Sequence, residues 1–292
     1  MTTHRKIAIL LHEKDRDPGA NGYFIWALSK VWREQGHTVE VVKGVRNRID
    51  ADVVIPHMDA TVVPPEYVEF LQKFPCVVNR GASDISKRVI SQNLLARGDA
   101  YDGPVIVKTN LNCGGGPDIN FSGTKVFFSA RSKKFWPAWL SFNRRKSSSD
   151  WEKVNCMRCE DYQVFPSLKE VPAAVFSNPW LVVERFLPEH ENGIYYLRIY
   201  KFFGNQAYCA RLGSPHPIVK LRNITSREEV PIPEEVVAVR RSLSMDYGKL
   251  DFVMREGRAI VFDVNRTPGR VSPPERMRAK AVQLAPGIES LF

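Results

Sequence analysis

Close to the C-terminal end, the run KLDFVMREGRAIVFDVN carries Asp251, Asp263 and Asn265 on two short apolar stretches separated by Arg255, Glu256 and Gly257. Gly257 stands where a three-residue hairpin loop wants its left-handed residue. With that loop Met254 opposes Arg258. Strand alternation then puts Asp251, Val253, Val261, Asp263 and Asn265 on one face, and Phe252, Met254, Ile260, Phe262 and Val264 on the other. Two carboxylates and an amide oxygen form a hard-oxygen set suited to Mg²⁺, which keeps several waters and completes its octahedron with substrate phosphates. The plainer reading is the polar face of a half-exposed sheet.

A second hairpin joins Ile194–Phe203 to residues 206–212 through Gly204-Asn205, and glycine at the first central position signals a type II′ turn. That turn sets Phe203 opposite Gln206 and Arg198 opposite Arg211. Facing like charges destabilise a sheet by a few tenths to about 1 kcal/mol, so an anion such as phosphate between them is expected, with two solvated, splayed arginines as the alternative. Lys108 ends the run VIVK just ahead of Gly114, Gly115 and Gly116. A flexible triglycine can offer backbone N–H groups to phosphate oxygens, and the lysine can meet them as a point charge. A mobile surface loop is the rival reading, since the spacing is neither GxxxxGKS/T nor GxGxxG. Cys156 and Cys159 form a CxxC with no second ligand pair nearby, and are read as small buried hydrophobes rather than zinc ligands. His12, His57, His190 and His216 are scattered and receive no catalytic role.

The elements that must position these groups can be read from periodicity. KIAILL, the turn DPGANG and the helical YFIWALSKVWREQGH open the chain. TVEVV, ADVVIP and PCVVN read as further strands, with Pro64-Pro65 starting another helix, so residues 1–82 look like a small parallel α/β unit. A helix is expected over residues 83–97, then the strand GPVIVKT and, later, the strand WLVVERFL. Residues 127–151 are basic and aromatic without periodicity, a composition that also fits nucleic acid. From residue 270 onward the pattern is a turn and then a helix.

The 292 residues are 43% hydrophobic and 25% charged, with Gly and Pro in no period, which excludes collagen-like and wholly disordered classes. No stretch reaches the roughly 20 apolar residues that span a bilayer, and the start lacks a signal-peptide pattern. Five cysteines at irregular spacing suit a reducing compartment. A cytoplasmic protein without a membrane partner is expected. The net charge of +10 points to an anionic partner without naming it.

In order, SDISKRVISQNLL, VIVK with its glycines, VVERFLPE, LRIYKFFGNQAYCAR, LDFVM and VFDVNRTPG resemble the ATP-grasp superfamily over about residues 83–270. The nearest branches are the glutamate ligases that modify ribosomal protein, glutathione synthetases and D-alanine–D-alanine ligases. The resemblance implies a mixed α/β and α+β chain: a small N-terminal Rossmann-like α/β domain (1–82), then an ATP-grasp fold of two α+β subdomains. The first of these carries the glycine-rich loop (83–180) and the second the metal-binding hairpin (181–292). It also implies ATP and Mg²⁺. By position, Lys87 and Lys108 would hold ATP phosphates, Gly114, Gly115 and Gly116 would close over them, and Glu184, Arg185, Phe186 and Leu187 would meet adenine. Glu191 would meet the ribose, Arg198 and Arg211 the transferring phosphate, and Asp251, Asp263 and Asn265 the magnesium. Tyr196 stands where relatives often carry Asp, and Asp263 where they often carry Glu. The implied activity is an ATP-dependent carboxylate–amine ligase working through an acyl phosphate on small-molecule carboxylate and amine substrates. A small-molecule kinase of the same fold is the alternative, and a basic nucleic-acid-binding protein a weaker one. A homodimer stays open.

Overall fold

The computed structural model describes residues 4–15, 22–46, 48–127, 151–158 and 161–292. The expectations for Cys159 and for the basic aromatic segment over 128–150 lie outside the described residues. Among the described residues no helix is long and apolar enough to cross a membrane.

Strands β1 (Lys6–Leu11), β2 (Thr38–Lys43) and β3 (Val53–Pro56), with helix α1 (Phe24–Glu34) between the first two, form a parallel sheet of order β2-β1-β3. Ile7 to Leu11 are all buried, as expected where both faces of a parallel sheet are covered. The expected strand PCVVN shrinks to one bridge between Val77 and Val54. Asn79, at φ 60°, turns the chain away, and its side chain bonds the backbone of Asp246 and Tyr247. Helix α2 (Pro65–Leu71) starts at Pro65 as expected.

The helix expected over 83–97 survives only as α3 (Lys87–Ile90). Beyond it the backbone bonds outward: Leu94 bridges Glu184, and Leu95 N–H donates to Val183 O at 2.9 Å. Next come β4 (Val105–Thr109), α4 (Gly116–Ser122), β5 (Gln163–Phe165), α5 (Ala173–Ser177) and β6 (Leu181–Arg185). The three strands make an antiparallel sheet of order β5-β4-β6. Pairing thus joins residues 181–185 to this middle sheet rather than to the large C-terminal one.

The remaining strands are β7 (Glu189–Glu191), β8 (Ile194–Phe203), β9 (Gln206–Ser214), β10 (Ser226–Glu229), β11 (Tyr247–Arg255) and β12 (Arg258–Asn265). Helix α6 (Glu234–Ser242) precedes β11, and α7 (Pro274–Leu284) comes after β12. They form a sheet of order β10-β9-β8-β11-β12, with β7 against the start of β8. The first hairpin has the expected register, Arg198 opposite Arg211, and Gly204 sits at φ 53°. The second hairpin corrects the expectation. Its loop is two residues, Glu256 (φ 52°) and Gly257 (φ 78°), the two positive angles of a type I′ turn. Met254 therefore opposes Ala259, not Arg258. One such slip exchanges the faces, so Val261 joins the core with Phe252 while Ile260 turns away from it. A β-bulge between the Phe252–Val261 and Asp251–Asp263 pairs then adds one residue, Phe262, and reverses the exchange. Asp251 and Asp263 end up opposite one another, with Lys249 opposite Asn265.

One core runs from α1 and β1 to the large sheet and α7, through Phe24, Trp32, Phe203, Tyr247 and Ile288, and Trp32 Nε1–H donates to Ala285 O at 3.0 Å. On the sheet's other face Tyr200, Phe202 and Phe252 pack against Val236 of α6.

Candidate functional site

Lys108 comes from the fully buried end of β4, so its ammonium can only emerge between the middle and large sheets. There Nζ lies 2.6 Å from Glu184 Oε2 on β6 and 4.8 Å from the Phe262 ring centroid. Glu184 Oε1 is buried without a hydrogen-bond partner. Lys87, the first residue of α3, donates to Leu111 O at 3.2 Å and lies 3.4 Å from Asp263 Oδ1. On the neighbouring strand β11, Lys249 Nζ reaches both oxygens of Asp251, two residues along, at 2.6 and 2.8 Å. Asn265 Oδ1 accepts Thr267 N–H at 2.7 Å. The Thr267 hydroxyl lies 2.7 Å from Asp59 Oδ1, whose other oxygen accepts Tyr23 O–H at 2.6 Å.

These groups line or adjoin one cavity of about 310 Å³ between the sheets. Arg185, Phe186 and Leu187 form its edge, and the segment of Ile218, Val219 and Leu221 gives it an apolar wall. Burial opposes ionisation of Asp263, but Lys87, Lys249 and Lys108 outweigh it, so the carboxyl stays below the usual carboxylate range. Burial likewise works against the Lys249 charge, and Asp251 with Asp263 overcomes it, so the ammonium is held above its ordinary value. The site is a charged rim on an apolar slot.

Of the residues singled out in the sequence, the fold brings together Lys87, Lys108, Glu184, Arg185, Phe186, Leu187, Asp251, Asp263 and Asn265. Gly114, Gly115 and Gly116 do not line the cavity, although Asn112 and Cys113 do. The expected flexible loop is a tight turn: Gly114 (φ 71°) sits so close to Met157 that a Cβ would lie 1.9 Å from its carbonyl oxygen. Arg198 and Arg211 face the other side of the sheet, because Arg198 pairs with Phe252 whereas Asp251 pairs with Ile199. The anion between them is the protein's own. Glu189 accepts Arg198 Nε–H at 2.9 Å and Arg211 Nε–H at 3.0 Å, and also Met254 N–H at 2.8 Å. Glu191 pairs with Arg211 at 2.6 Å and lies outside the cavity. Sequence reasoning missed Lys249, although its position two residues before Asp251 puts it on the same strand face. It also missed Asp59 and Thr267, which only the tertiary fold joins.

The donor set fits a hard divalent ion: two carboxylates and an amide oxygen on one sheet face, beside ammonium groups suited to phosphate. Among the described residues no group of three or more His, Cys, Asp or Glu side chains is placed to hold a metal ion, so a site at this face would draw its third oxygen from Asn265. Cys156 is buried, and burial pushes its thiol up to about 12, the opposite of a metal-ligating thiolate.

No protein-family profile matches this chain, and no curated protein matches it. Among solved structures, the ATP-grasp ligase PsnB complexed with minimal precursor, Mg and ADP superposes with a TM-score of 0.50 at 11% identity, covering 98% of this chain and 97% of that one. PsnB complexed with precursor peptide and AMPPNP gives 0.50 at 12% identity, covering 97% and 98%. A D-alanine–D-alanine ligase from Bacillus anthracis complexed with ATP gives 0.46 at 12% identity, covering 98% and 96%. At such identity the likeness is one of fold.

Proposed function

We propose, starting from the ATP-grasp fold that this chain adopts, that it is an ATP-dependent ligase which joins a carboxylate to an amine through an acyl phosphate. The observation that carries this reading is the convergence of Lys87, Lys108, Asp251, Asp263 and Asn265 on one cavity, edged by Arg185, Phe186 and Leu187. Nothing in that set is a covalent nucleophile. Phosphoryl transfer needs none, because its demands are positioning and neutralisation of charge. The N-terminal parallel unit then serves as the domain that precedes the ATP-grasp subdomains.

In this reading the apolar slot takes the base, and the unpartnered Glu184 Oε1 accepts a hydrogen from its amino group. Lys87 and Lys108 hold the phosphates. Asp251, Asp263 and Asn265 would hold magnesium, which would draw charge from the phosphate oxygens. For that, Lys249 releases Asp251 and Lys87 turns from Asp263 toward phosphate. Asp59, held by Tyr23 and Thr267, offers the amine a carboxylate beside Asn265.

The test is a phosphate-release screen with Mg-ATP across amino acids, small dicarboxylates and short peptides, with mass analysis of products. ADP and phosphate released only when a carboxylate and an amine are both present, with a product lighter than their sum by one water, supports the ligase. Phosphate retained on an acceptor hydroxyl would make the protein a kinase.

A further inference from the structure

Behind the carboxyl end of β3, away from the nucleotide cavity, lies a second cavity of about 190 Å³. Its apolar wall is Pro56, Met58, Val63, Val68 and Leu71, from β3, the loop after it and α2. The facing wall is polar and includes Asn79, Arg80, Ser83 and Arg266. It shares no residue with the nucleotide cavity.

Both arginines reach this wall without a bonded carboxylate among the described residues. Arg266 is 4% exposed and spends its two terminal nitrogens on four backbone carbonyls, those of Ala60, Thr61, Ala82 and Ser83. Its Nε–H is buried with no acceptor. Asp118, Asp84 and Asp59 favour its charge through space, with no hydrogen bond or ion pair to it among the described residues. Arg80 donates to the carbonyls of Phe74 and Pro75. No acidic residue lines the cavity. The cavity leaves apolar side chains uncovered, and buried N–H groups rarely go unpaired. A ligand that satisfied both features would be apolar at one end and a monoanion at the other.

We propose that this cavity is a binding site for a small aliphatic carboxylate, with the chain against Val68 and Leu71 and the carboxylate accepting Arg266 Nε–H beside Arg80. The site is independent of the nucleotide reading and is populated with or without Mg-ATP. Size limits the ligand to a short branched or unbranched chain, since the space is smaller than the roughly 300 Å³ at which ordinary ligand pockets begin.

The probe is 4-methylpentanoate, titrated into the full chain by isothermal calorimetry and by NMR chemical-shift mapping, with 4-methylpentanol as its uncharged counterpart. Saturable binding of the carboxylate, at least about tenfold tighter than the alcohol, is expected from a charge-assisted hydrogen bond. Val68→Phe, which fills the apolar end, abolishes binding. Arg80→Gln, a change at an exposed side chain that leaves the fold intact, weakens it about fivefold or more. Circular dichroism melts confirm that both variants are folded; should Val68→Phe unfold, Arg80→Gln and the alcohol comparison carry the test. No saturable binding of the carboxylate, equal binding of the alcohol, or affinity unchanged in Arg80→Gln would each overturn the assignment.

Discussion

Lys108 and Glu184 are the two ends of a contact whose members cannot be removed singly at low cost. The carboxylate is 1% exposed and the lysine side chain 11%, so Lys108→Met strands a buried negative charge. Breaking such a pair costs about 3–5 kcal/mol, whereas replacing both members is often close to neutral. Lys108→Met should therefore lower stability by that order and abolish Mg-ATP binding, while Lys108→Met with Glu184→Gln restores most of the stability and none of the binding. Denaturant melts read the first quantity and calorimetric titration the second. Recovery of nucleotide affinity in the double variant would remove Lys108 from the phosphate site. Lys201 presents the reverse case. It is 4% exposed on the cavity's sheet face, opposite Lys249 in the ladder, with Gly269 O at 3.3 Å and the Phe24 ring as company. Burial, aided by Lys249, pushes its ammonium down to about 7. Between that value and the unfolded lysine's value near 10.4, the unfolded chain binds the extra proton, so stability rises with pH across the window, at up to about 1.4 kcal/mol per unit. Lys201→Met should flatten that rise in melts taken from pH 7 to 9.

At the scale of the elements, each hairpin was legible in part. Period-two alternation gave β8, β9, β11 and β12, and Gly204 gave the first register, because a II′ turn leaves one choice. Which side of the sheet Arg198 and Arg211 face was not legible, since register names a partner and not a direction. The second register failed because Gly257 suits either loop length. What decided it was Glu256 at φ 52°, which costs a non-glycine residue about 1 kcal/mol and is offset only in the assembled sheet. The bulge at Phe262 leaves no mark in the local pattern, yet it returns Asp263 and Asn265 to the face of Asp251. Deleting Phe262 should turn both away from the cavity, with loss of Mg-ATP binding but retention of the sheet's circular dichroism. Glu189 makes a separate prediction. Burial opposes its charge, and Arg198, Met254 N–H and Arg211 together hold the carboxyl below its ordinary value. Its contribution is thus complete above the unfolded value near 4.3 and fades as pH falls through the lower folded one. Glu189→Gln should cost about 3 kcal/mol at pH 7 and change nucleotide affinity less than about threefold, because the cluster lies across the sheet from the cavity. A tenfold loss of affinity in that variant would return the two arginines to the catalytic face.

The whole molecule explains why the parallel unit, read easily from its first strands, gave no sign of how it meets the rest. Its parallel sheet is apolar on both faces, Ile7 to Leu11 and Val53 to Ile55 all being buried, so each face must be covered. The cover is supplied from far along the chain: Phe203, Tyr247 and Ile288 share a core with Phe24 and Trp32, and Arg266 bonds four carbonyls of the loops beyond β3. Those contacts join residues more than 170 positions apart, which local periodicity cannot report. They also hold Asp59 against Thr267, next to Asn265, so the site exists only when the units are docked. Docking and folding should then be one event. Trp32→Ala, which empties the centre of that core, should cost about 3–5 kcal/mol and lower the melting of all three sheets together. Calorimetry with hydrogen exchange resolved by segment would show a single transition in both proteins, with β4 and β11 losing protection at the same temperature as β1. Were β1 to melt alone in the variant while β11 stayed protected and Mg-ATP still bound, the N-terminal unit would be a separate body, and the contact through Asp59 would have no part in building the site.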